Sequence, residues 1–91
     1  YEGALLDLET ALALRPRSAS TLQSMADVKK LMGRYAMALE DLNRADQIKP
    51  NDHYTLAVRG DVKMMLMDYT SAMLDLNRAD RIAPNDPYTL G

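Results

Sequence analysis

Apolar residues recur along this chain at helical spacing, in short runs that glycine or proline interrupts at regular places. Leu22, Met25, Val28, Leu31 and Met32 fall on one stripe of a helix running from about Ser20 to Met32, and Gly33 breaks it. Tyr35, Ala38, Leu39, Leu42, Ala45 and Ile48 form the stripe of a second helix with period near 3.6. Pro50 stops that helix, because proline removes an N–H donor and clashes with the preceding turn. Asn51-Asp52 supply cap chemistry for the next helix, as Ser18 does earlier, and Asp86-Pro87 read as a further N-cap and first helical residue.

The same text is written more than once. Asp41-Leu42-Asn43-Arg44-Ala45-Asp46 recurs unchanged as Asp75-Leu76-Asn77-Arg78-Ala79-Asp80, a shift of 34 residues. Tyr1, Tyr35 and Tyr69 correspond, as do Ala4, Ala38 and Ala72, and Pro16, Pro50 and Pro84. Thr21-Leu22 returns as Thr55-Leu56 and Thr89-Leu90. Each unit is a helix pair, and the chain divides into one second helix (1–18), two full repeats (19–52 and 53–86) and the start of another (87–91). The small residues have a packing reason. Leu42 serves as a knob between Ala38 and Ala45, which sit seven apart on one face and let the neighbouring helix approach.

Composition narrows the functional classes. The chain has no Phe and no Trp, so its core is Leu, Met, Ala, Ile, Val and Tyr, which suits helices. Eleven basic against thirteen acidic residues give a formal charge of -2, which argues against a generic nucleic-acid binder. No apolar run is long enough to span a membrane. The absence of Cys excludes disulfides and Cys-ligated zinc and fits a reducing, cytoplasmic setting. His53, the one histidine, has no ligand constellation around it and reads as a surface residue at a helix start, so no metal site or cofactor is expected. There is no Gly-rich phosphate loop or nucleophile elbow, and the serines have no His partner, so no catalytic residues are assigned and an enzyme is not expected.

Leu22, Ala26, Gly33, Tyr35, Ala38, Leu42, Ala45 and Pro50, repeated as Leu56, Gly60, Tyr69, Ala72, Leu76, Ala79 and Pro84, resemble the tetratricopeptide repeat. The resemblance covers nearly the whole chain. It implies an all-α fold of about five helices, a right-handed superhelical solenoid of antiparallel helix pairs that serves as a non-catalytic scaffold for protein–protein contact. The chain departs from the family at Lys29 and Lys63, where a tyrosine is common, and at Met67, where the turn glycine of the second copy belongs. The pentatricopeptide repeat, an RNA binder, is the near alternative; the strict period of 34 and the acidic balance count against it.

In this family the first helices line a concave groove. The resemblance therefore places Ser20, Gln23, Asp27, Lys30, Tyr54, Ala57, Asp61 and Met64 toward a partner, with Asp27 and Asp61 one repeat apart as two carboxylates for a basic or amide-rich peptide. Of Met64, Met65 and Met67, only Met64 is expected in the groove and at least one of the others in the core. A tetratricopeptide subgroup grips acidic C-terminal tails of heat-shock chaperones through a two-carboxylate clamp of Lys, Asn and Arg. Here Gln23, Asp27 and Val58 stand at the corresponding positions, so these repeats do not form it. The pairs Asp41/Arg44 and Asp75/Arg78 read as solubilising charges on a convex face, and Arg59-Gly60-Asp61 as a helical coincidence rather than an adhesion tripeptide. The array begins out of phase, which would leave Leu5, Leu6 and Leu8 at one end and Leu74, Leu76 and Ile82 at the other without neighbours. End-to-end association of copies is therefore the expected alternative to peptide capture.

Overall fold

The computed structural model describes residues 1–82. Within them lie five helices and no strand: α1 (Glu2–Leu14), α2 (Ala19–Leu31), α3 (Tyr35–Ile48), α4 (His53–Met65) and α5 (Tyr69–Ile82). The cap at Asp86-Pro87 and the segment 87–91 read as a further repeat lie outside the described residues.

Local chemistry sets the helix ends. Ser18 Oγ accepts the Thr21 N–H at 3.2 Å to start α2, and the Asp52 carboxylate accepts the Tyr54 N–H at 3.0 Å to start α4. α2 closes through Gly33, whose φ is +80°, with the Arg34 N–H donating to the Lys29 carbonyl at 2.8 Å. α4 closes through the same turn, with Asp68 N–H donating to the Lys63 carbonyl at 2.9 Å, although the left-handed position is taken by Met67 at φ +64°. The repeat thus imposes its turn on a residue that lacks glycine's freedom.

Each helix packs on the next, and α2 also touches α4 directly. This neighbour-only pattern is that of a repeat solenoid. The core spans both repeats: Ala26, Ala38, Leu42, Val58 and Val62 cluster together, with Tyr35 and Leu39 packed against them. Ala38, Leu42 and Ala45 are fully buried, which is the knob and the small residues around it. Gly60 takes the place of Ala26 in the second repeat. A Cβ there would stand 2.7 Å from Leu76 Cγ and 3.3 Å from the Ala72 carbonyl, so the missing side chain is what lets α5 come close.

Several sequence expectations are corrected by burial. Leu31, at the end of α2, is 62% exposed. Met64, Met65 and Met67 are all exposed, so none of the three fills the core. Leu5 is buried, Leu8 is half-buried and Leu76 is half-buried against Gly60, so these three are occupied within the chain; Leu6, Leu74 and Ile82 are exposed. His53 is half-buried rather than on the surface, and its Nδ1 donates to the Ala79 carbonyl at 2.9 Å, tying α4 to α5.

Candidate functional site

The first helices of the two repeats, α2 and α4, lie side by side, and their facing polar residues divide into a tied end and an open end. At the tied end Gln23 Nε2 donates to Asp52 Oδ2 at 3.0 Å and to Thr55 Oγ1 at 2.6 Å. The Tyr54 hydroxyl donates to the Asp27 carboxylate. Burial, then the hydrogen bond and charge of Asp27, push the Tyr54 hydroxyl up to about 12. Burial alone would raise the Asp52 carboxyl, but Gln23, the Tyr54 N–H and Lys49 outweigh it and hold it below the usual carboxylate range. Gln23, Asp27 and Tyr54 therefore brace the two repeats as well as facing outward.

At the open end Lys30, Leu31, Tyr35, Asp61, Met64, Met65 and Leu76 surround a cavity of about 500 Å³. The side chains of Lys30 and Asp61 make no hydrogen bond or ion pair among the described residues, and Met64 is 42% exposed. Of the sequence-predicted groove residues, Lys30, Asp61 and Met64 come together around this cavity. Asp27 and Asp61 differ in surroundings: one accepts the Tyr54 hydroxyl, the other lines the apolar opening.

On the other side of the first helices lies a feature that differs from the sequence reading. Asp41 and Asp75 are not solubilising surface charges but buried ones. Lys29 Nζ donates to Asp41 Oδ2 at 2.7 Å, joining α2 to α3. One repeat on, Lys63 Nζ lies 2.8 Å from Asp75 Oδ2, and Arg59 grips the same carboxylate with Nε at 2.8 Å and Nη2 at 2.9 Å. Arg59 also reaches back to α3, donating to Asn43 Oδ1 at 3.1 Å and Asp46 Oδ2 at 3.4 Å. Burial would raise the Asp75 carboxyl, but hydrogen bonds from Arg59 and Lys63 and their charges hold it below the usual range. Arg59 and Gly60 are buried within α4, so the adhesion-like tripeptide is not an exposed loop.

The tetratricopeptide repeat family profile matches residues 19–52. Among solved structures, "First TPR of Spaghetti (RPAP3) bound to HSP90 peptide SRMEEVD" superposes with a TM-score of 0.93, covering 99% of this chain and 71% of that one at 19% identity. Residues 19–52 thus match a tetratricopeptide repeat, and the chain has the fold of a tetratricopeptide array. No curated protein sequence matches it. Among the described residues of this tetratricopeptide array, no group of His, Cys, Asp or Glu could hold a metal ion, and no helix is long and apolar enough to cross a membrane.

The buried ion pairs had a signal in the repeat itself. Lys29 and Lys63 stand where tetratricopeptide repeats often carry tyrosine, and Asp41 and Asp75 recur at the same 34-residue spacing. A cation inside a helix pair needs a buried anion, but Asp46 and Asp80 recur at the same spacing as Asp41 and Asp75, so the repeat alone does not choose between them. The cavity had no such signal, because Leu31 and Met65 belong to it only through the way α2 and α4 end.

Proposed function

We propose that this array is a protein-interaction scaffold whose open end, between α2 and α4, takes an extended or helical segment of a partner bearing an apolar side chain beside a basic one. The observation that carries the reading is the cavity of about 500 Å³, with an apolar wall of Leu31, Met64, Met65 and Leu76 and two charged groups, Lys30 and Asp61, at its edge. An apolar anchor gains by leaving water, and Met side chains adapt to its shape. Asp61 selects a cation next to that anchor, and Asp27 extends the negative potential along α2. The solved neighbour is bound to an acidic peptide. Asp27 opposes a terminal carboxylate, so the segment taken here is of the opposite charge.

Selection of heptapeptides from a random displayed library, followed by anisotropy titration, tests this. The enriched peptides should carry an apolar residue flanked by Lys or Arg. Asp61→Lys should weaken them by about tenfold or more, in line with the loss of a partly desolvated charge contact. The peptide SRMEEVD should bind no better than a scrambled one. Enrichment of acidic peptides, or affinity indifferent to Asp61→Lys, removes the reading.

A second reading, end-to-end association of copies, draws on the outward Leu6 (64% exposed) on α1 and Leu74 (62%) on α5. Light scattering over a wide concentration range separates the two: a constant monomer mass leaves only peptide capture, and a growing mass that Leu74→Glu abolishes supports association.

A further inference from the structure

The chain holds seven methionines and no cysteine, so its thioethers meet a two-electron oxidant without a competing thiol. Their exposure divides them. Met25 is 5% exposed and belongs to the packed interior, whereas Met64 and Met65 are 42% and 59% exposed in the last turn of α4. These two also form part of the apolar wall of the cavity between α2 and α4. Neither belongs to the core cluster of Ala26, Ala38, Leu42, Val58 and Val62. Their outward position is a property of the repeat. Leu31 stands one repeat before Met65 and stays 62% exposed although α4 packs beside α2. Met37, Met67 and Met73 are exposed too, but line no part of that cavity.

We propose that Met64 and Met65 are modification sites, and that their conversion to methionine sulfoxide by a peroxide turns off the cavity. The inference rests on the reading of that cavity as a capture site for an apolar anchor. In the reaction a sulfur lone pair attacks one peroxide oxygen. The S–O bond forms and the O–O bond breaks, and the departing hydroxide takes the proton of the transferred oxygen and leaves as water. Sulfur loses two electrons and the peroxide gains them. The product carries a polar, hydrogen-bond-accepting oxygen where the wall was apolar. Burying that oxygen under an apolar anchor strips it of water, so the anchor loses the advantage of the wall. The adaptable fit of the unoxidised side chains is lost with it. Methionine sulfoxide reductases restore the thioether, which makes the change reversible.

The test treats the whole chain with hydrogen peroxide and follows each methionine by peptide mass mapping. Met64 and Met65 should each gain one oxygen well before Met25 does, with the circular dichroism unchanged. Two ligands are then titrated into the reduced and oxidised forms. One is a peptide enriched from the displayed library; the other is anilinonaphthalene sulfonate, an apolar probe that needs only the cavity. Affinity for each should fall by about tenfold on oxidation and return after treatment with methionine sulfoxide reductases. In Met64→Leu/Met65→Leu, whatever its starting affinity, the fall should disappear, because leucine keeps the wall apolar and carries no sulfur. In Met37→Leu/Met67→Leu/Met73→Leu the fall should remain. Probe or peptide affinity that oxidation leaves unchanged, an equal fall in Met64→Leu/Met65→Leu, or unfolding on oxidation each overturn the proposal. So does failure of the probe to bind the reduced chain. A fall in probe affinity with no peptide enriched from the library keeps the oxidation switch and removes only the capture reading.

Discussion

At the residue scale, the most telling position is Met67, a flexible side chain fixed in the left-handed region and 75% exposed. A left-handed non-glycine residue costs roughly 1–2 kcal/mol, and glycine returns part of that as unfolded-chain entropy. Met67→Gly should therefore stabilise the fold by about 0.5–1 kcal/mol, read as a higher Tm, because no packing is lost. Gly33→Ala should lower stability by a similar amount, since nothing but backbone conformation changes there: a Cβ on Gly33 meets no atom within 4 Å. A rise in stability for Gly33→Ala would show that the turn is not held as described. Tyr54 gives a second test. Its hydroxyl is pushed up from 10.0 to about 12 by burial and then by Asp27. Ultraviolet titration should place one tyrosine near that value, and Asp27→Asn should bring it down toward the ordinary one. The sign follows from a raised folded value. The stabilisation is complete below pH 10 and is lost as pH rises through the folded value, so stability should fall over that alkaline window.

At the element scale, the helix pairs are joined by buried charges as well as by small apolar residues. Asp75 is 3% exposed and takes two cations, Arg59 and Lys63. Removing the shared anion leaves both cations buried without it, so Asp75→Ala should destabilise by about 3–5 kcal/mol in urea unfolding. Asp41→Ala, which strands only Lys29, should cost less. The Asp75 carboxyl is held below its ordinary 3.8, so its contribution is present above that pH and lost as pH falls through the lower folded value. Acid unfolding of the unaltered chain should therefore be steeper below about pH 4 than that of Asp75→Asn, measured by circular dichroism. Helix positions were legible in the sequence because period 3.6, Gly33, Pro50 and Ser18 all mark local events. The burial of Asp41 and Asp75 was not, because an i,i+3 spacing to Arg44 or Arg78 looks like an ordinary surface pair. Only the neighbouring helix, which delivers Lys29 or Lys63, decides that these carboxylates point inward.

For the whole molecule, the repeat fixed the architecture but not the distribution of stability along it. The 34-residue identity predicts like units, yet the two interfaces between repeats are unlike: Met25 stands in one and Arg59 in the other. Half of the candidate site was likewise readable. Lys30, Asp61 and Met64 follow from repeat position, whereas the bracing of Gln23 by Asp52 and Thr55 depends on how closely α2 and α4 approach. The core cluster joins α2, α3 and α4 through Ala26, Ala38, Leu42, Val58 and Val62, so these helices share one cooperative unit. α1 stands outside it. Its N-cap Tyr1 offers no side-chain hydrogen bond, and Leu5 is its one buried residue, against six in α4. In a one-dimensional array, a helix outside the shared core and held by one buried anchor opens without the rest. Native-state hydrogen exchange should therefore show α1 amides exchanging by local opening, with protection lower than α3 and α4 by about 2 kcal/mol or more, the scale of one buried leucine. Leu5→Ala should lower α1 protection further while leaving the α3 and α4 amides unchanged. Equal protection across all three helices would mean that the array opens as a single unit.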